Sequence, residues 1–219
     1  MLDSGGVFKE VSMIIYDISM SIAKDMPVYK GKEAKKPVFK TDSDFKSSSV
    51  YETRLEMNLH TGTHIDAPLH ILEGGKKIDQ LELERVVRKC KVFDFQEVED
   101  RITKEHLAGK DIDEGDFIIL KTKNSFLDIL EKDYIFLDKS GAEYLESKKV
   151  NGVGIDALGI ERSQPGHETH KILLGSEIII LEGLYLRNVE EGEYFLFAAP
   201  VRIANAEAAP VRAILIKKA

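Results

Sequence analysis

His60-Thr-Gly-Thr-His64-Ile-Asp66-Ala-Pro68-Leu-His70 sets three of the chain's six histidines and an aspartate in one stretch punctuated by glycine and proline. Imidazole and carboxylate are the donors that Zn, Mn and Fe accept, and such an ion holds them at about 2.0–2.2 Å. In a straight strand, at roughly 3.3 Å per residue, His60 and His64 would stand about 13 Å apart, too far to share an ion. A helix would bring residues four apart within about 6 Å, but Thr61, Gly62 and Thr63 are poor helix formers and Pro68 cannot sit in a helix interior. The favoured reading is a tight turn at Gly62, which brings His60 and His64 together, followed by an extended segment with Asp66 on the same side as His64. Pro68 keeps Ala67 extended and projects His70 beyond the ligands.

A turn supplying three donors leaves coordination positions open, and the C-terminal third holds further donors. Gln164-Pro-Gly-His167-Glu-Thr-His170-Lys-Ile-Leu-Leu-Gly175 reads as a loop, a short helix and a glycine stop. The apolar strand Ile178 to Leu181 follows and runs into Glu182. A carboxylate continuing a strand that is aliphatic on both faces needs a cation or hydrogen-bond donors. Pairing with an arginine would satisfy it, and so would a metal shared with His170. His60, His64, Asp66, His170 and Glu182 are too many for one tetrahedral zinc that keeps a position open, and they suit two ions bridged by Asp66. His167, on the same helical face as His170, is a weaker donor candidate.

With 43% hydrophobic and 32% charged residues in 219, the composition is that of a soluble globular protein of one domain spanning residues 1–219. The apolar run at Met13 to Ile15 is far shorter than the roughly 20 residues a bilayer requires, and the N-terminus lacks a secretory pattern. A net charge of −7 with dispersed basic residues gives no footprint for nucleic acid. Lys30-Gly-Lys32 and Lys35-Lys36 form the densest basic patch, read as a solvated loop. The single cysteine, Cys90, excludes an internal disulfide and reads as a buried inert thiol, and a cytoplasmic location is expected.

Strands are expected at 13–18, 55–59, 91–95, 117–121, 134–137, 153–155, 177–181, 194–198 and 213–217. Helices are expected at 81–88, 104–108, 125–130, 139–148 and 167–174, with Ser140 or its neighbour as a cap. Strands outnumber helices and alternate with them irregularly, which predicts an α/β fold with a mixed sheet. Residues 1–9, with Ser4-Gly-Gly6, read as a mobile end.

The stretch from His60 to His70, followed by Gly74-Gly75 and Ile78-Asp79, resembles the signature of the cyclase family that includes bacterial kynurenine formamidase and isatin hydrolase. Tyr16-Asp-Ile-Ser19, Met26-Pro-Val-Tyr29, Gly115 to Leu120, Gly141 to Leu145, Gly152 to Asp156, His170 to Leu184 and Pro210 to Ala213 extend the resemblance over nearly the whole chain. It implies a swivelling β/β/α domain. It also implies metal ligation by His60, His64 and Asp66, with Asp66, His170 and Glu182 holding a second ion in two-metal members, and His70 as the catalytic acid/base. In the resembling family the segment around Tyr29 crosses to a neighbouring subunit and helps close its pocket, which implies a homodimer or homotetramer and a substrate contact for Tyr29; the alternative is a local lid on its own chain. The chain departs from the family in having Lys30-Gly31-Lys32 after Tyr29, where relatives carry a proline and an acidic residue, Gly159 where they often carry serine, and no tryptophan.

The expectation is a metal-dependent hydrolase of a small amide, aryl formamide or cyclic amide, using one or two Zn or Mn ions per chain to activate water, with His70 moving protons. No Gly-x-Ser-x-Gly elbow offers a serine nucleophile. A metal-dependent lyase or cyclase acting on a small carbonyl compound would use the same residues. A non-catalytic metal-binding or small-molecule-binding protein would have no need of His70.

Overall fold

The computed structural model describes residues 12–127 and 132–218. In chain order the strands are β1 (Met13–Asp17), β2 (Val38–Ser43), β3 (Glu52–Glu56), β4 (His64–Asp66), β5 (Val87–Asp94) and β6 (Arg101–Ile102). They continue with β7 (Phe117–Lys121), β8 (Phe136–Leu137), β9 (Gly152–Ile155), β10 (Ile179–Glu182), β11 (Gly192–Phe197), β12 (Ala208–Pro210) and β13 (Ile214–Lys218). Three α-helices accompany them: α1 (Lys104–Ala108), α2 (Lys139–Ser147) and α3 (Glu168–Gly175).

Nine of the strands form one mixed sheet in the order β1-β13-β11-β5-β7-β9-β10-β4-β12. β5, β7, β9 and β10 run parallel, and antiparallel strands extend the sheet on both sides. Side chains alternate across the parallel centre with period two. Ile118, Leu120, Val153, Ile155 and Ile180 face a core layer with Leu107, Ala142, Leu145, Leu173 and Leu174 from the three helices. Phe117, Ile119, Ile179 and Leu181 face the opposite layer with Ile65, Leu184, Tyr194, Leu196 and Leu215. Because both faces are covered, β7, β9 and β10 are buried throughout, as a parallel centre requires.

Several expected elements differ. Residues 81–88 form no α-helix: a 3-10 turn at Leu83–Arg85, closed by Val86, leads into β5 at the β-branched Val87, while Arg85 reaches away to Asn151. The strand expected at 55–59 lies earlier, as β3, and pairs with β2 in a hairpin outside the main sheet. The stretch 125–130 is entered by a 3-10 turn at Lys123–Phe126, and its last residues lie outside those described, as does the expected mobile end 1–9. Helix α2 is capped by Asp138, whose Oδ1 accepts from the Gly141 N–H at 2.9 Å, rather than by Ser140. No helix among the described residues is long and apolar enough to cross a membrane. Cys90 is buried in β5, where burial pushes its thiol up to about 12 and keeps it unreactive at neutral pH.

Candidate metal centre and active site

The site forms where β4 lies against β10. In that antiparallel pair His64 stands opposite Glu182, and Asp66 opposite Ile180. Ile180 faces the helix layer, so period two puts His64, Asp66 and Glu182 on that face too, beneath α3, from which His170 descends. His60 arrives through the turn. Gly62 takes φ of +73°, the left-handed conformation the turn demands. Gly183, just past Glu182, takes φ of +68°, and a Cβ there would stand 2.3 Å from the Gly62 carbonyl oxygen. Thr63 ties the two turns together: its hydroxyl donates to the Gly183 carbonyl at 2.5 Å and accepts from the Met20 N–H at 2.8 Å.

Five donor groups therefore meet in one cradle. His60 Nδ1 lies 2.9 Å from Asp66 Oδ1, and His64 Nε2 lies 3.4 Å from the same oxygen and 3.3 Å from Glu182 Oε2. His170 Nε2 lies 3.6 Å from Asp66 Oδ2 and 3.5 Å from Glu182 Oε1. His64, Asp66 and Glu182 are buried and His170 nearly so. The anticipated alternative for Glu182 does not hold among the described residues: Glu182 pairs with no arginine, and its only hydrogen bond is from the Ile160 N–H to Oε1 at 2.5 Å. His70 ends the 3-10 turn Pro68–His70 and stands at the rim, its ring centroid 4.1 Å from that of His60 and 5.5 Å from that of His170. His167 is the N-cap of α3, with its side chain largely exposed and turned to Glu161 rather than into the cradle.

Tautomers follow from the acceptors. His64 Nδ1 lies 2.8 Å from the Gly62 carbonyl oxygen, which can only accept, so Nδ1 carries the proton and Nε2 faces the carboxylates. His170 Nδ1 lies 2.8 Å from Glu161 Oε1, and its Nε2 likewise faces the cradle. A carboxylate or carbonyl behind a histidine, fixing the ring with its far nitrogen forward, is the arrangement of metal-binding imidazoles.

The electrostatics carry the same implication. Burial alone would push the His64 imidazole down, but the Asp66 and Glu182 carboxylates outweigh it and hold it up at about 10. His170 is raised well above its ordinary value against the same burial, by Asp66, Glu161 and Glu182. Burial and the neighbouring Asp66 charge would raise Glu182, yet His170 and His64 bring it down to about 2. The cradle thus demands positive charge. His64 Nε2 and both Asp66 oxygens are buried and close no hydrogen bond, since their neighbours sit beside them rather than along the bonding directions. His60, His64 and Asp66 offer donor atoms within 4.8 Å of one another, as do Asp66, His70 and His170. This nitrogen and carboxylate set fits a divalent transition metal.

Glu161 escapes a reading of the sequence, where it is one glutamate in an irregular loop. It is buried and accepts four hydrogen bonds, from His167 Nδ1, His170 Nδ1, the Thr169 N–H and Gln164 Nε2. Burial would raise its carboxyl, but His170 outweighs that and keeps it low. The only hint in the sequence is an acidic side chain in the same Gly/Pro loop that leads to His170.

Tyr29 packs beside Gly159. A Cβ at Gly159 would meet its ring at 3.5 Å, and the next residue, Ile160, anchors Glu182.

A mixed α/β sheet with a buried cradle of imidazoles and carboxylates defines a protein able to hold a divalent metal. Comparison with known proteins identifies which kind. The model of the family described as "Putative cyclase" matches residues 16–162. The kynurenine formamidase of Salinibacter ruber is 31% identical over 206 residues, covering 93% of this chain and 97% of that protein. A structure described as a "predicted metal-dependent hydrolase from Bacillus stearothermophilus" is 49% identical with a TM-score of 0.86, covering 94% of this chain and 98% of that one. Isatin hydrolase A from Labrenzia aggregata, 23% identical with 94% of each chain covered, shares the fold at a TM-score of 0.83. The chain belongs to the putative cyclase family. It is a hydrolase.

Proposed function

We propose that the protein hydrolyses a small amide, an aryl formamide or a cyclic amide, with one or two Zn or Mn ions held by His60, His64, Asp66, His170 and Glu182. The observation that carries this reading is the set of buried, unbonded donor atoms at His64 Nε2 and Asp66. Buried polar atoms without a partner call for an explanation, and a bound ion facing imidazole and carboxylate donors supplies one. Names among the relatives support the substrate class, since one is a formamidase of kynurenine and another a hydrolase of isatin. When bound, the metal supplies a Lewis acid that polarises a carbonyl and brings the pKa of a water from 15.7 to about 7.

The chain's own groups do the rest. The Gly62 carbonyl and Glu161 hold His64 and His170 in single orientations, so no reorganisation is needed when a substrate arrives. Asp66, between three imidazoles, would be among the residues that hold the metal. His70 is the general acid/base. Its ring stands at the edge of the cradle, half-exposed, and burial pushes its imidazole below the ordinary value, partly offset by Asp66. It is therefore neutral at pH 7, able to take a proton from water at a ring nitrogen and return it to the departing nitrogen of the amide, a role worth about 10²- to 10⁴-fold. On this reading Tyr29, beside Gly159 and next to the Ile160 that holds Glu182, contacts the substrate.

An activity screen of Zn- and Mn-loaded protein against N-formyl aryl amines, isatin-like lactams, cyclic imides and lactones tests this. Turnover of at least one amide class is expected, with one oxygen from labelled water in the product. Metal-loaded protein that turns over none of them, or that adds no solvent oxygen, would refute hydrolysis.

A further inference from the structure

The basic run after Tyr29 is not uniformly solvated. Lys30 and Lys32 are exposed, but Lys35 is half-buried and lies against the active-site mouth. Its backbone is held on both sides: its carbonyl accepts from the Thr61 hydroxyl at 3.0 Å, within the turn that carries His60 and His64, and its N–H closes a tight turn onto Lys32. Its Nζ stands 5.3 Å from the centre of the Tyr29 ring, and Lys30 Nζ stands 5.0 Å from the same centre. Tyr29 is thus flanked by two ammonium groups at the entrance to the cradle. Lys30 reaches that position through a left-handed backbone, with φ of 58°.

Among the described residues neither ammonium makes a salt bridge or a hydrogen bond; the ring faces of Tyr29 are what they touch. Nearby cations differ in this respect, since Arg162 pairs with Asp100 and Asp133, and Lys36 with Glu33. Burial pushes the Lys35 ammonium down, and Lys32 and Lys30 add to that, while the charges of Glu182 and Asp66 pull it back. Lys35 therefore lies within electrostatic reach of the carboxylates that form the cradle. Those carboxylates are already faced by three imidazoles and, in the metal-loaded enzyme, by divalent ions, so they do not satisfy it. Lys35 Nζ is not sealed inside the protein, so an anion arriving from solvent can reach the ammonium. Tyr29 and Lys30 also line an open recess shared with Tyr134, Lys132, Arg162 and Ser163.

We propose that Lys35, with Lys30, binds an anionic group, a carboxylate carried by the substrate, so that the preferred substrates are acidic amides whose scissile bond lies in the cradle while their carboxylate reaches the ammonium pair beside Tyr29. This rests on the hydrolytic reading, and the geometry sets the division of labour: the donors of the cradle face the amide, and the two lysines face the rest of the molecule. Lys35 is then a specificity residue, acting on binding rather than on the chemical step.

The test compares N-formylaniline with the three isomeric formamidobenzoates on Zn-loaded full-length protein, as wild type, Lys35→Met and Lys35→Arg. Lys30→Met serves as a second variant should Lys35→Met lose its metal or its thermal stability. A charge-assisted contact of this kind is worth about tenfold to a hundredfold. Wild type is expected to favour at least one formamidobenzoate over N-formylaniline by about tenfold in kcat/KM. Lys35→Met is expected to erase most of that ratio through KM, Lys35→Arg to keep it, and added NaCl to shrink it in wild type. A wild-type ratio near one for all three isomers, or a ratio unchanged in Lys35→Met and Lys30→Met, overturns the proposal. Benzoate binding by calorimetry separates this from failure of the hydrolytic reading. If no amide is turned over, benzoate that binds wild type about tenfold more tightly than Lys35→Met at equal zinc content still supports the anion site. Equal binding by both removes it.

Discussion

Replacing Glu161 by glutamine leaves the side chain's shape and removes its charge, and the hydrogen bonds around it determine the damage. One carboxylate oxygen accepts from His170 Nδ1 at 2.8 Å and His167 Nδ1 at 2.9 Å, and the other accepts from the Thr169 N–H at 2.9 Å and Gln164 Nε2 at 2.7 Å. A glutamine has one acceptor oxygen, so its amide NH₂ must face one of these donor pairs. Turned towards Thr169, it orphans a buried N–H in the first turn of α3; turned towards His170, it releases the ring that the cradle needs fixed. Leaving a buried donor unpaired costs about 1–3 kcal/mol. Loss of the partner behind a metal-binding histidine typically costs about 10- to 100-fold in metal affinity, or roughly 1.4–2.7 kcal/mol, and the two ranges agree. Competition for zinc between the protein and a chromogenic chelator at pH 7.5 should therefore show binding weakened about 10- to 100-fold in Glu161→Gln. Melting curves in excess chelator report whether the metal-free fold is intact. Zinc affinity within about twofold of wild type, in a variant whose metal-free melting temperature is unchanged, would show that Glu161 does not position His170.

His64→Ala and Asp66→Ala should lose bound metal, whereas His70→Ala should keep most of it and lose about 10²- to 10⁴-fold in turnover; elemental analysis showing metal lost in step with activity would make His70 a ligand instead. Asp156 is buried with Thr122 and Ser125, and burial, partly offset by their hydrogen bonds, pushes its carboxyl up to about 6. The folded state therefore holds this proton more tightly than the unfolded chain, a stabilisation of about 3 kcal/mol present below about pH 4 and lost as the pH rises through 6. Denaturation of metal-free wild type and Asp156→Asn should show that difference between pH 4 and 7 on top of a constant offset, and a pH-independent difference would contradict it. The hairpin of β2 and β3 exposes Val38, Phe45, Tyr51 and Leu55, more apolar surface than an isolated two-stranded unit keeps in water, so light scattering should report a dimer or tetramer that Phe45→Glu with Tyr51→Glu weakens; a wild-type monomer at micromolar concentration would refute this.

The cradle is legible in the sequence where backbone chemistry leaves few choices. Gly62 and Pro68 restrict the chain between His60 and His70 so tightly that a turn followed by an extended segment is the favoured path, and the structure has both. Glu182 is legible as a charge at the end of an apolar strand. Residues 81–88 mislead because Leu81, Leu83, Val86 and Val87 suit a helical stripe as well as a turn leading into a strand, and only the sheet decides between them. β4 and β12 are three residues each, too short for alternation to show, and are strands because β10 and each other provide partners. Glu161 and Lys35 are illegible for a different reason: each lies in irregular backbone, where no period predicts which way a side chain turns.

The hydrogen bond from Thr63 to Gly183 joins residues 120 positions apart. During synthesis the segment with His60, His64 and Asp66 leaves the ribosome long before β10 does, and β4 has neither of its sheet partners until residues 179–182 and 208–210 have emerged. Pairing of such distant segments is slow because loop-closure entropy is spent before any contact is gained. The nascent chain therefore exposes a few loose histidines that any available ion can visit only weakly. On the proposed reading, selective uptake of metal would be one of the last events of maturation and would draw the finished fold forward by mass action.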